Sequence, residues 1–257
     1  MTTGMTLPFD VRLMNFTAML LVSLVVLAGA AAGAWWLARS PAFAIQQITV
    51  TGDTRHNTEV SLYSAVAGRL RGNFFTLNLA SAETAFQNVP WVRTAVVQRR
   101  FPNQLRVHLQ EHVPVARWGG SDTELVDRYG DVFATGDADA GQQRRLPLLL
   151  GPDGQGALLW QTYERLNAAT DGLKTAIVRL ELQPRGHWHA QLAQGAQIEL
   201  GQGSAGELTR RMARFADTAL QVAARYRRDA ADIESADLRY ERGYALRLRG
   251  VTTVAAE

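Results

Sequence analysis

Residues Gly201-Gln202-Gly203-Ser204-Ala205-Gly206 spell G-x-G-x-x-G, the spacing that lets a dinucleotide pyrophosphate approach the backbone where a helix begins. A strand precedes the motif and a helix follows it. The strand, AQIEL, carries Gln197 and Glu199 on a wet face. The first strand of a nucleotide fold is buried on both faces and sits in a parallel βαβ pattern, which this region lacks. The run therefore reads as a Gly-rich turn into a capping box, with Ser204 and Glu207 satisfying the orphan N–H groups of a helix. His187 and His189 flank Trp188 and share one strand face, but a zinc site needs a third ligand and none is evident. His56, His108 and His112 stand apart from any ligand pattern. Neither G-x-S-x-G nor H-E-x-x-H occurs, and no pair of acidic residues is singled out by spacing. The absence of cysteine removes disulfide scaffolds, zinc ribbons, iron–sulfur sites and thiol nucleophiles together. No catalytic, cofactor-binding or metal residue is proposed, and no cofactor. The expectation is a binding or scaffolding role, not an enzyme.

Charge narrows the partners. A net +3 over 257 residues gives no electrostatic case for nucleic acid. The 27 basic residues include one lysine, Lys174, so the rest are arginines. That excess is mainly compositional, although the planar guanidinium suits protein interfaces. Apolar residues make up 47% and charged residues 20%, ordinary for a globular chain.

The apolar residues are not spread evenly. Phe16 to Leu37 is free of charge, and as a helix it would reach about 33 Å, enough for a hydrocarbon core of about 30 Å. Trp35 and Trp36 stand at its end, where amphipathic rings favour the interface. Ala42-Phe43-Ala44 resembles a signal cleavage site, but the run exceeds the 7–15 residues of a usual signal core. An uncleaved anchor is expected. Arg12 and Arg39 flank the span and barely set its orientation; a short tail, 1–15, ahead of a large exported region favours a signal anchor.

Beyond the anchor the spacing predicts two units. The first runs strand (43–50), helix (58–70), helix (81–89), strand (91–99) and strand (104–110), with Phe101-Pro102-Asn103 as the turn. Val60, Tyr63, Val66, Ala67 and Leu70 are expected to face inward from the first helix, and Ala82, Ala85, Phe86 and Val89 from the second. Pro114 breaks the pattern. The second unit is expected to hold strands at 124–134 (with a turn at 129–131), 146–150, 175–182, 188–200 (with a turn at 194–195), 233–241 and 244–249. Helices are expected at 157–169 and 205–230, and a loop at 137–143. This is an α+β arrangement, an antiparallel sheet with packed helices. In the last strand Tyr244, Leu246 and Leu248 share one face and Arg247 and Arg249 the other. A terminal strand is often a sheet edge. It can accept a partner's strand, or its arginines can protect it from aggregation; periodicity leaves both readings open.

Several stretches carry a family resemblance. In order they are FAIQQITVTG, GNFFTLN, PWVRTAVVQRRFPNQLRVHLQEHVPVARW, ELVDRYGDVFA and ESADLRYERGYALRLRG. The chain resembles the FtsQ/DivIB family of bacterial cell-division proteins over essentially its whole length. The resemblance implies a cytoplasmic tail (1–15), a transmembrane helix (16–37), a POTRA domain (43–112), a partner-binding β domain (113–250) and a flexible tail (251–257). It implies a non-enzymatic divisome scaffold in the inner membrane, single pass, with its bulk in the periplasm and enriched at the septum. It implies that the β domain binds FtsB and FtsL by adding a strand to the last sheet edge. FtsK, FtsW and FtsI are implied as wider contacts in the control of septal peptidoglycan synthesis. Carried over by motif, the partner-binding residues are Arg185, Arg239, Tyr240, Gly243, Leu246 and Leu248. Some members carry a tryptophan near the end of the last strand, where this chain has Leu248. A membrane-anchored periplasmic cell-wall enzyme is the alternative reading. An outer-membrane assembly protein would need many more amphipathic strands than this length holds.

Overall fold

The computed structural model describes residues 9–70, 72–135 and 143–251. The expected loop 137–143 and tail 251–257 lie outside it except for Gln143 and Val251, as do residues 1–8 of the expected tail 1–15. Helix α1 (Phe9–Ala38) carries the apolar run. Among the described residues it is the one helix long and apolar enough to cross a membrane, and its stretch Leu13–Ala38 is not buried against the protein. The chain divides into two compact units between Glu111 and His112.

The first unit follows α1 with β1 (Gln47–Gly52), α2 (Glu59–Val66), α3 (Leu79–Gln87), β2 (Val92–Arg100) and β3 (Gln104–Glu111). Its sheet has the order β1-β3-β2. β1 lies parallel to β3, and β2 and β3 form an antiparallel hairpin. Alternation builds it: Leu105, Val107 and Leu109 are buried while Arg106, His108 and Gln110 are exposed. Gly52 ends β1 at φ +103°, and a Cβ there would lie 2.1 Å from the Leu109 carbonyl oxygen, so the turn admits only glycine. The second helix packs as its spacing predicts, burying Ala82, Ala85, Phe86 and Val89. The first helix does so only in part. Val66 is buried as expected and Leu70 partly so, but Val60, Tyr63 and Ala67 are exposed and Leu62 faces the core in their place. The helix is short, starting after its Thr58 cap, which accepts from the Ser61 N–H. A short helix buries one narrow stripe, and Leu62–Val66 at i, i+4 is that stripe.

The second unit is one nine-stranded sheet. Its strands are β4 (Pro114–Trp118), β5 (Glu124–Asp127), β6 (Val132–Ala134), β7 (Leu148–Leu150), β8 (Ile177–Leu182), β9 (Trp188–Leu192), β10 (Gln197–Gly201), β11 (Ile233–Asp237) and β12 (Ala245–Leu248). The order across the sheet is β12-β11-β10-β9-β8-β7-β4-β5-β6. Pro114 opens β4 and pairs with Asp127. The α+β class holds, but the sheet is mixed rather than wholly antiparallel. The β10–β11, β7–β8 and β4–β7 ladders are parallel. Parallel neighbours need a crossover, and two of the three receive a helix: α4 (Gly156–Ala168) between β7 and β8, and α5 (Ala205–Arg225) between β10 and β11.

Both helices pack into the core of this sheet. Leu208, Met212, Phe215, Ala216, Ala219 and Ala223 line the buried stripe of α5. They meet Leu149, Leu159, Leu166, Leu180 and Ile198 in one cluster. Each large side chain fully buried there contributes about 1.5–3 kcal/mol. The helix ends earlier than its apolar spacing suggests. Arg227 takes a left-handed φ of +59°. The Arg228 N–H then closes back on the Ala223 carbonyl at 3.0 Å, a Schellman-type stop. Tyr226 is therefore exposed.

Candidate partner-binding site

The motif at 201–206 resolves into a turn and a cap. The Ser204 N–H donates to Glu207 Oε2 at 2.8 Å, and the Glu207 N–H donates to Ser204 Oγ at 3.4 Å. The Ser204 hydroxyl also donates to Glu207 Oε2 at 2.9 Å, and these two bonds from the Ser204 N–H and hydroxyl hold the Glu207 carboxyl below the usual carboxylate range. His189 is paired with Glu199 at 2.9 Å across β9 and β10. His187 lies in the β8–β9 turn, where its carbonyl accepts from the Gln183 N–H at 2.9 Å.

The last strand is an edge. β12 pairs on one side with β11, and no strand lies beyond it among the described residues. Polarity along it follows from alternation. The Arg249 N–H donates inward to the Asp232 carbonyl at 2.8 Å. Successive residues of an antiparallel strand point their backbone groups to opposite sides, so Leu248 and Leu246 point theirs outward. The outward Leu248 carbonyl is taken by the Val251 N–H at 3.2 Å. Leu246 therefore offers an N–H and a C=O to an incoming strand. Its neighbour Arg247 pairs with Glu234 at 2.9 Å on the wet face.

The side chains of β12 divide as predicted. Tyr244 is partly buried, donates to or accepts from Thr218 Oγ1 at 2.8 Å, and meets Phe215 edge-on at 5.2 Å. Leu246 is partly buried and Leu248 is 5% exposed. Leu248 is a core residue, so toward a partner it presents backbone rather than side chain. Between β12 and α5 runs an open groove of about 540 Å³, with Val222, Tyr226, Leu246 and Val251 among its walls. The groove was not foreseen from sequence. Tyr226 lies at helical spacing from Phe215, Ala219 and Ala223 of the buried stripe, but the Schellman stop turns the helix end away and leaves it exposed.

Arg239 and Tyr240 follow β11 in the loop that leads to β12. Tyr240 is 57% exposed. The Arg239 guanidinium grips Asp237 at both ends, Nε to Oδ1 at 2.9 Å and Nη2 to Oδ2 at 2.7 Å. This hydrogen-bonded pair holds the Asp237 carboxyl below the usual carboxylate range, and it raises the guanidinium's own proton affinity. The stem of Arg239 lies over Gly201, where a Cβ would come 2.7 Å from its Cγ. The loop is pinned from both sides. Leu238 N–H donates to the Glu199 carbonyl at 2.8 Å, and Arg214 of α5 donates to the Glu241 carbonyl at 2.7 Å.

Arg185 sits exposed in the β8–β9 turn, and its carbonyl accepts from Gln202 Nε2 at 2.7 Å. Residues 201 and 202 thus touch both arginines, bringing the Arg185 turn and Arg239 to one end of the sheet. Gly243, Leu246 and Leu248 continue along the edge itself. Asp237, Gln202 and Arg214 are positioning residues without a sequence signal beyond their polarity. Their partners lie 2, 17 and 27 residues away.

Two family models match the chain. Residues 43–112 match "POTRA domain, FtsQ-type", and residues 116–239 match "Cell division protein FtsQ/DivIB, C-terminal". Similar proteins named "Cell division protein FtsQ" include those of Burkholderia pseudomallei (37% identity over 94% of both chains), Thiomonas arsenitoxydans (37%, over 95% of this chain and 90% of that one) and Bordetella pertussis (34%, over 93% and 92%).

Proposed function

The chain belongs to the FtsQ/DivIB family of cell-division proteins, and we propose that it is a non-enzymatic divisome scaffold that captures the FtsB–FtsL complex on the β12 edge. The apolar helix α1 fits a single-pass transmembrane anchor. In this reading residues 1–15 are cytoplasmic, the span at 16–37 crosses the inner membrane, and the POTRA domain (43–112) and the β domain (113–250) lie in the periplasm, enriched at the septum. The captured complex links the scaffold to control of septal peptidoglycan synthesis, with FtsK, FtsW and FtsI as wider contacts.

The observation that carries the proposal is the unpaired outer side of β12, with Leu246 offering both backbone groups. Main-chain pairing supplies affinity in strand addition, and flanking pockets supply specificity. Three features flank this edge. The groove beside α5 takes apolar side chains. Tyr240 offers an exposed ring. Arg185 and Arg239 offer forked donors for a partner's carboxylates. Arg239 reaches such a carboxylate by sharing or releasing Asp237.

The test is co-purification of the full chain, in detergent, with FtsB–FtsL. Tyr240→Ala is expected to weaken capture while leaving the melting profile nearly unchanged, since its ring is largely exposed. Arg239→Glu is expected to weaken capture and to lose the Asp237 pair's contribution to stability without unfolding the domain. Unchanged capture by both variants would remove this site from consideration.

A further inference from the structure

The first unit is joined to the end of α1 through a short aromatic-rich loop. Asn73 Nδ2 donates to the Ala38 carbonyl, the last residue of α1. The Phe74 N–H donates to the Phe43 carbonyl at 2.8 Å. Phe43 and Phe75 meet edge-on at 4.9 Å, Phe74 and Phe75 at 5.2 Å, and Phe74 and Phe101 at 5.9 Å. This cluster is not a core. Phe101, at the tip of the β2–β3 hairpin, is 72% exposed, and Phe75 is 50% exposed. Beside the tip, Arg99, Arg100 and Arg106 with Gln98 enclose a hollow of about 300 Å³. Arg99 donates to the Leu77 carbonyl at 2.6 Å, which fixes its guanidinium there. None of the three arginines forms an ion pair among the described residues.

Exposed aromatic rings beside arginines that form no ion pair among the described residues match the chemistry of a lipid interface. Rings partition to the headgroup boundary, and guanidinium forks bind phosphates. The location supplies the occupant. α1 ends at Ala38, and Arg39 stacks over Trp35 at 4.0 Å where the span leaves the bilayer. A surface hydrogen-bonded to the last residue of a membrane helix lies within reach of that membrane's headgroups.

We propose that the hairpin tip and its three arginines dock onto the anionic surface of the bilayer that α1 spans. The docking sets the tilt of the first unit against the membrane instead of leaving it to swing on residues 39–46. The proposal rests on α1 being a transmembrane anchor. Each arginine at an anionic surface favours association by roughly fivefold, so reversing two lowers the docking equilibrium constant by more than about twentyfold.

The native chain has no cysteine, so a single engineered thiol is unique. Gln46→Cys lies at the tip end, where the Gln46 N–H donates to the Asn103 carbonyl. Asp53→Cys lies at the far end of β1, about 20 Å away at roughly 3.3 Å per residue. Each full-length variant would carry a fluorophore and be reconstituted in nanodiscs containing headgroup-nitroxide lipid. Strong quenching at residue 46 in phosphatidylglycerol-rich discs is expected. It should fall severalfold in pure phosphatidylcholine and in the Arg100→Glu/Arg106→Glu background, with weak quenching at residue 53 throughout. Phe101→Ser should lower it as well, without a folding effect, because that ring is exposed. Quenching at residue 46 that ignores both lipid charge and the arginines would overturn the proposal. A chain extracted by alkaline carbonate would overturn the anchor itself, and the docking with it.

Discussion

Replacing Leu246 with proline tests whether β12 recruits its partner through the backbone. The Leu246 N–H points away from β11, as the alternation from Arg249 requires. Proline there removes no ladder bond and is tolerated at an edge. A partner strand about 4.8 Å away would lose one donor, worth about 1 kcal/mol. The ring also occupies the space of that strand and loosens the neighbouring bonds, about 1–2 kcal/mol more. A total of roughly 2–3 kcal/mol corresponds to roughly 30- to 150-fold weaker binding. Leu246→Ala loses the same apolar contacts with the groove but keeps the N–H, so it is the proper reference. Both variants would be titrated as full chains against FtsB–FtsL by surface-immobilised binding, with thermal melts alongside. Expected is a large gap between proline and alanine in affinity and a small one in melting temperature. Equal affinities would refute backbone pairing at this edge and leave the arginines of β12 as simple protection against aggregation.

Two further outcomes follow from the geometry. Arg239→Ala should move the Asp237 carboxyl titration upward, toward the ordinary carboxylate range, as read by carboxyl NMR shifts. Because Asp237 is held below that range in the folded chain, its stabilising contribution is present above the unfolded pKa and is lost as pH falls through the folded one. Wild type and variant should therefore differ in stability at neutral pH and converge in acid. Phe215→Ala should cost about 3–5 kcal/mol in urea unfolding, since the ring is wholly buried between α5 and the sheet. It should also loosen Tyr244, which meets that ring edge-on, and with it the start of β12.

Local pattern was enough for much of this protein. The charge-free run at 16–37 marks the helix long and apolar enough to cross a membrane, because hydropathy over a span is a property of consecutive residues. Alternation at Leu105, Val107 and Leu109 marks β3, and the Ser204–Glu207 spacing marks a cap instead of a nucleotide site. These signals act within a few residues. The inward face of α2 is legible only in part, because Val60 and Tyr63 fit the helical period with Val66 as well as Leu62 does. Only the sheet beneath selects between the two stripes.

Apart from the local Arg239–Asp237 pair, what makes the candidate site depends on distant segments meeting. The parallel β10–β11 ladder exists because α5 carries the chain back across the sheet, and that crossover leaves β12 outermost. Sequence alone raised β12 as an edge but left partner pairing and protection equally open. Tertiary packing buried Leu248, turned Leu246's backbone outward and formed the groove against α5. It also brought the Arg185 turn beside Arg239 and Asp237 through Gln202. A sequence states which groups are polar and at what period they recur. Which backbone groups remain unpaired is decided only when every strand has found its neighbour.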